Sequence, residues 1–294
     1  MSPLPFHIVD VFAEEPYAGN QLAVVEEGRE LVRADMQAIA HEMNYSETTF
    51  VRDPEPTAEG YRVRIFTPTD EIPFAGHPTL GTAFVIREYL CEDDPEEIRL
   101  DLDVGSIPVR VERGGETDRY WMTQRPPTFG AELDREAAAG IVGLEVDRLD
   151  PEFIPKIVST GLPTLIVPLT SLEAVETVHV DRRAYRAFVD ETDTKAVLVF
   201  SAETIDSHND LHVRMFAEAL GVAEDPATGS SNGCLAAYLA EYEYLGDPVL
   251  EARVEQGYAL DRPSLLQLRA DATGAEIEVE VGGRVIPVAR GELL

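Results

Sequence analysis

Short apolar and alternating runs set the rhythm of this chain. FHIVDVF (6–12), QLAVVE (21–26), TTFVRD (48–53), YRVRIFT (61–67), IRLDLDVGSIPVRVER (98–113) and RYWMTQ (119–124) have the length and period of strands. PTLIVPL (163–169), KAVLVFS (195–201), DLHVRMF (210–216), SLLQLRAD (264–271) and AEIEVEVGGRVIPVAR (275–290) repeat the pattern in the second half. Helical spacing is confined to 31–43, 134–143, 181–190 and two further segments described below. Strands outnumber helices and do not alternate strictly with them. That predicts an α+β protein with mainly antiparallel or mixed sheets, not a doubly wound nucleotide-binding fold. The proline-rich stretch RPPTFG (125–130), followed by an acidic helical segment, is the expected domain boundary.

A weak repeat links the halves. Arg64-Ile-Phe66 leads through a spacer to Pro73-Phe-Ala-Gly76-His77 and a helix; Arg214-Met-Phe216 leads to Pro226-Ala-Thr-Gly229-Ser230 and another. The first helix is expected from about Pro78, at its N1 position, to Cys91. The second is expected from about Ser231 to Leu245, with Gly246 as C′. Both are apolar on all sides, so each belongs inside a core wrapped by sheet. A buried helix must still satisfy its free N-terminal N–H groups, and an anion is one solution.

Composition narrows the function classes. Of 294 residues 44% are hydrophobic, as a folded globular chain requires, and no run approaches the roughly 18 apolar residues of a membrane span. The N-terminus lacks the basic and apolar regions of a signal peptide, and a cytoplasmic location is the default expectation. Fifty-five acidic residues face 24 basic ones, for a formal charge of −31, and only Lys156 and Lys195 are lysines. Acids spread along the whole chain with so little lysine suggest adaptation to molar salt, where screening makes self-repulsion tolerable. An acidic functional patch is the alternative. Nucleic acid is not an expected partner, because no basic stripe exists to neutralise phosphates.

Cys91 and Cys234 are far apart and read as two buried thiols. Most of the six histidines lie singly, with no partner ligand evident near His208 or His212. No metal site, Gly-x-Gly-x-x-Gly fingerprint or phosphate loop is present, so neither a metal ion nor a nucleotide cofactor is expected.

Gly76-His77 and Gly229-Ser230 open the two buried helices. Glycine admits close approach of a ligand to the backbone, and helix dipoles favour a carboxylate or developing enolate there. Tight packing at a helix entry explains either glycine alone; the repetition favours an anion site. His77 at such an entry would be held neutral and suited to move a proton. Asp225 reads either as a site residue or as a capping carboxylate. Glu47, in NYSETTFV, reads from the residues alone as a solvated turn acid.

The ordered set GNQLAVV (19–25), NYSETTFV (44–51), RIFTP (64–68), EIPFAGHPTLGTA (71–83) and EDPATGSSNG (224–233) resembles the PhzF, or phenazine-biosynthesis-like, family. The resemblance spans the chain, through EQGYALDRPS (255–264) to VGGRVIPVARGEL (281–293). It implies the diaminopimelate epimerase-like fold: two similar domains, here 1–127 with 278–294 and 128–277, each a curled mixed or antiparallel sheet around a central helix, with the site in the cleft between them. It implies a cofactor-independent isomerase in which Glu47 takes a proton from carbon. His77, Asp225 and Ser230 would complete the catalytic set, with Gly76, Gly229 and Asn20 binding a small carboxylate substrate, and the chain would form a homodimer. Related epimerases and racemases carry a cysteine at each helix entrance. Here His77 and Ser230 stand near those places, which disfavours a two-thiol mechanism. An amino-acid racemase or epimerase of the same fold, and a non-catalytic binding or scaffold protein, are the alternatives.

Overall fold

The computed structural model describes residues 3–26, 28–114 and 117–294; Met1 and Ser2, at the head of the expected first domain, lie outside them. The chain divides into two compact units, residues 1–123 with 282–294, and residues 124–281.

In the first unit, β1 (Leu4–Val11) pairs antiparallel with β2 (Asn20–Val25) and with the C-terminal strand Val285–Leu293. Helix α1 (Arg33–Met43) leads to β3 (Glu47–Val51), which runs parallel to β2. β4 (Tyr61–Phe66) is antiparallel to β3 and to the two-residue β5 (Glu71–Ile72). After α2 (Gly76–Val85), β6 (Glu97–Leu102) returns parallel to β4, followed by the antiparallel β7 (Gly105–Glu112) and β8 (Arg119–Thr123).

All ten residues of α2 are buried, and the helix packs on β1, β2, β3, β6, β7, β8 and the C-terminal strand. A helix apolar around its whole circumference can be stable only inside such a wrap. Its start differs from expectation. Ala75 is the N-cap and Gly76 the first helical residue, so Pro78 sits third, not first. Its missing N–H still costs nothing, because no first-turn N–H has an intrahelical acceptor. Beyond Val85 the helix continues as a π-helical turn, Ile86–Leu90, which Cys91 N–H closes on Ile86 O at 2.9 Å. At Gly81 the helix lies close against the sheet. A Cβ there would lie 2.6 Å from Leu22 Cδ2 and 2.8 Å from Val11 Cγ2. Gly81→Val is therefore expected to destabilise the protein by about 1–3 kcal/mol, read as a lowered urea midpoint at unchanged m-value.

The second unit repeats the plan. β9 (Thr128–Glu132) pairs with β10 (Lys156–Ser159), and α3 (Arg135–Val142) lies between them in sequence. The proline-rich stretch expected as a boundary thus runs into a strand, because its residues from Thr128 onward find β10 as a partner. β11 (Thr164–Pro168) is antiparallel to β10 and, after α4 (Leu172–Glu176) and α5 (Arg182–Thr192), parallel to β12 (Ala196–Ser201). β13 (Leu211–Ala217) is antiparallel to β12 and to the short β14 (Val222–Asp225). After α6 (Gly229–Glu241), β15 (Val249–Gln256) runs parallel to β13 and antiparallel to β16 (Ser264–Asp271). The sequence of antiparallel, parallel, antiparallel, antiparallel, parallel and antiparallel pairings matches β1 to β7 step for step. The two units share one topology.

Helix α6 packs on β10, β11, β12, β15 and β16, and Ser231 to Ala240 are all buried. It ends at Glu241, four residues before the expected Leu245. Tyr242 is its C-cap, and Glu243 (φ 48°) turns left-handed, closing a turn with Gly246 N–H on Glu243 O at 2.7 Å. Gly246 (φ 87°) therefore ends that turn and is not the helix C′.

The Arg-x-Phe repeat has a physical basis. Arg64 forks onto Glu71 (Nε–Oε1 2.5 Å, Nη2–Oε2 2.6 Å), and Arg214 forks onto Glu224 (2.9 and 2.8 Å). Each guanidinium also lies over the phenylalanine two residues on, Phe66 at 5.2 Å and Phe216 at 4.9 Å. Both forks tie the strand before a buried helix to the short strand that enters it, which fixes the direction of entry. Burial lifts the cost of losing such a pair, and the Glu71 carboxyl is held below its ordinary pKa by the Arg64 hydrogen bonds.

Candidate active site

In the first unit the site residues converge at the N-terminal end of α2. Asn20 opens β2 and Glu47 opens β3, and the parallel pairing of the two strands places Leu22 beside Glu47. Gly76 and His77 are the first two residues of α2, whose N-cap Ala75 offers no side-chain cap to the free N–H groups. His77 Nε2 lies 3.4 Å from Glu47 Oε2, and Asn20 Nδ2 lies 3.4 Å from His77 Nδ1. The His77 ring is thus held between Asn20 on its Nδ1 side and the Glu47 carboxyl on its Nε2 side. His77 is only 5% exposed, and burial holds its pKa down to about 3, a backbone hydrogen bond with Gln21 opposing this in part. The imidazole is therefore neutral at working pH. Neither Gly76 nor Gly229 adopts a positive φ, so backbone conformation is not what demands glycine at the helix entries.

In the second unit Asp225 closes β14, and Gly229 and Ser230 open α6. The N-cap is Thr228, so Asp225 does not occupy the capping position; its Oδ2 instead accepts the Thr228 hydroxyl proton. The Ser230 carbonyl accepts a long hydrogen bond from Thr160 Oγ1 at 3.5 Å.

Two neighbours escaped the sequence reading. Gln256, fully buried, accepts from Thr228 N–H (3.3 Å) and Asn232 Nδ2 (2.8 Å) through Oε1, and donates to Asp225 O (2.8 Å) and Thr228 Oγ1 (3.3 Å) through Nε2. Asn232 also reaches back to Thr228 O at 3.0 Å. Both lie inside motifs that carry the family resemblance, EDPATGSSNG and EQGYALDRPS, and Gln256 precedes a glycine with φ 82°.

Histidines read as solitary have partners. His212 Nδ1 lies 2.9 Å from the fully buried Glu255, His7 Nε2 lies 2.5 Å from Glu26, and His208 Nδ1 lies 2.8 Å from Asp206. Their partners are distant in sequence or lie in turns, which no spacing rule reports. Among the described residues no group of three or more His, Cys, Asp or Glu side chains is placed to hold a metal ion.

The thiols are set apart from the helix entries. Cys91 caps the π-helical turn and is only half-buried, which corrects the expectation of two buried thiols. Cys234 is fully buried one turn inside α6, near Thr160 Oγ1 (3.6 Å) and Leu162 O (3.5 Å), and burial pushes its pKa up. Native protein at pH 8 is accordingly expected to leave Cys234 unlabelled by iodoacetamide, with labelling only on unfolding, as peptide mass mapping would read.

Two units of one topology, each a sheet wrapped round a buried helix with polar residues at its entrance, define the architecture of epimerases and related isomerases. Comparison makes the class specific. The phenazine biosynthesis-like protein family matches residues 9–291, and the chain belongs to that family, an isomerase family. It is 36% identical over 291 residues to a trans-2,3-dihydro-3-hydroxyanthranilate isomerase of Pseudomonas fluorescens, covering 98% of each chain. It matches the crystal structure of a PhzF-family protein of Bacillus anthracis with a TM-score of 0.89, 27% identity and 100% coverage of both chains. A probable proline racemase from Agrobacterium radiobacter shares the fold at a TM-score of 0.63 and 11% identity, covering 99% of this chain and 93% of its own. Among the described residues no helix is long and apolar enough to cross a membrane.

Proposed function

We propose that the protein moves a proton on a small carboxylate-bearing substrate with Glu47 as the acid/base group. The observation that carries the reading is Glu47 facing neutral His77 at the uncapped entrance of α2. Glu47 carboxylate takes a proton from carbon, and the electron pair left behind delocalises toward the substrate carboxylate or a conjugated double bond. The same group then returns the proton to that carbon or a conjugated one, so atoms and charge balance without a redox partner. His77, as a neutral ring, orients the Glu47 carboxyl. Asn20 positions the imidazole, and the N–H groups at Gly76 steady the developing negative charge. Asp225, Gly229 and Ser230 are assigned to binding and orienting substrate.

The repeat supports a single base. Phe66 pairs with Thr48 in one unit and Phe216 with Val197 in the other, so the position equivalent to Glu47 is Ala196. His77 corresponds to Ser230 by place in the helix. At these equivalent positions the first unit carries an acid/base pair and the second carries Ala196 and Ser230, which favours isomerisation by one group over racemisation by two opposed groups.

The test is wash-in of deuterium from D₂O, followed by NMR across a panel of small carboxylates and amino acids, at low and at molar salt. The panel includes trans-2,3-dihydro-3-hydroxyanthranilate, named for the Pseudomonas fluorescens relative. Catalytic exchange at carbon supports the reading; binding without exchange leaves a ligand-binding protein.

A further inference from the structure

We infer that Gln256 is a positioning residue that sets the direction of the Thr228 hydroxyl and, through it, the state in which Asp225 meets substrate. The inference rests on the assignment of Asp225 to substrate orientation given above.

The geometry leaves the amide little choice. Gln256 Oε1 is occupied by two donors, Thr228 N–H and Asn232 Nδ2, so its Nε2 must be the end that faces Asp225 O and Thr228 Oγ1. Thr228 Oγ1 thus accepts one hydrogen from Gln256 and has its own proton left to give. It gives that proton to Asp225 Oδ2. The chain runs in one direction: Gln256 N–H to Thr228 oxygen, Thr228 O–H to the Asp225 carboxylate. A reversed amide would present a carbonyl to the hydroxyl and draw its proton away from Asp225.

Gln256 is held as firmly as it holds. It ends β15, is fully buried, and precedes Gly257, where a Cβ would run into the backbone oxygens of Arg262 and Pro226. Asn232, inside α6 and fully buried, locks the amide orientation from the far side. Gln256 also takes up the N–H of the N-cap Thr228, leaving the N–H groups of Gly229 and Ser230 as the next donors at the helix entrance. In the first unit the position equivalent to Asp225, counted from the forked glutamates Glu71 and Glu224, is Ile72. The device belongs to the second unit alone.

The experiment is ¹³C NMR titration of the Asp225 carboxyl in the full-length protein and in four variants: Gln256→Glu, Gln256→Met, Thr228→Val and Thr228→Ser. Thr228→Val is expected to raise the Asp225 midpoint by about one pH unit through loss of a hydrogen bond to the charged form, and the Gln256 variants to raise it in the same direction by releasing the Thr228 hydroxyl from its orientation. Thr228→Ser, which keeps the hydroxyl, should restore the native midpoint. A folded Gln256 variant with an unmoved Asp225 overturns the inference. If neither Gln256 variant folds, Thr228→Val carries the test, and an unmoved midpoint there overturns it equally. The titration needs no turnover, so it can succeed or fail independently of whether Glu47 supports deuterium exchange.

Discussion

Glu47→Gln is expected to lower solvent-deuterium exchange into substrate by about 10²–10⁴-fold, with the urea midpoint close to that of the native protein. The substitution keeps size and burial while removing the ability to accept a proton from carbon. It also keeps a group that can face His77 Nε2, so the packing around α2 has no reason to change. Since His77 is neutral, the loss cannot be made up by an imidazolium acting at the same place. His77→Asn should cost less, because Glu47 would retain the base function and lose only its orienting partner. A variant order with His77→Asn the more severe would move the acid/base role from Glu47 to His77. Retained exchange in Glu47→Gln would remove Glu47 from the role altogether.

Much of the fold was legible because it rests on burial. The two all-apolar helices and most strands follow from period alone, and the Arg-x-Phe repeat pointed to duplication before the matching topology was visible. The hidden part is polar. The Arg64 and Arg214 forks end on Glu71 and Glu224, but four residues separate Phe66 from the first glutamate and seven separate Phe216 from the second. That difference in spacer length conceals the equivalence. Strand β15 was overlooked because its apolar face offers only Leu250, Ala252 and Val254 before the wholly buried polar pair Glu255 and Gln256. Of the candidate site, the helix entries were legible from the residues. Glu47 was not, because one carboxylate among 55 acidic residues carries no mark until a fold sets it opposite His77.

Glu255→Ala is expected to destabilise the protein by about 3–5 kcal/mol at pH 7, the largest effect on stability of any single substitution considered. The carboxylate is completely buried and accepts from Ile205 N–H (2.9 Å), Asp206 N–H (2.7 Å), Asn209 Nδ2 (2.9 Å) and His212 Nδ1 (2.9 Å). Alanine would leave those donors around an unfilled space, including two backbone N–H groups of the turn at Ile205 and Asp206. Burial raises the Glu255 pKa, but the hydrogen bonds from Asn209, His212 and the two backbone amides outweigh it, and the net direction is downward from 4.5. A carboxyl with a depressed folded-state pKa contributes its full stability above its unfolded value and loses it as pH falls through the folded one. His77 acts in the same direction from higher pH: its folded pKa is lowered from 6.5 to about 3, so the unfolded chain takes up a proton that the folded protein refuses. Native stability should therefore begin to decline below pH 6.5 and fall more steeply below 4.5. In Glu255→Ala the first decline remains and the added loss below 4.5 shrinks, whereas His77→Asn keeps the second and loses the first. Urea midpoints measured at intervals between pH 7 and about pH 3 would separate the two. A Glu255→Ala profile parallel to the native one throughout would mean that the buried carboxylate is not the source of the acid sensitivity.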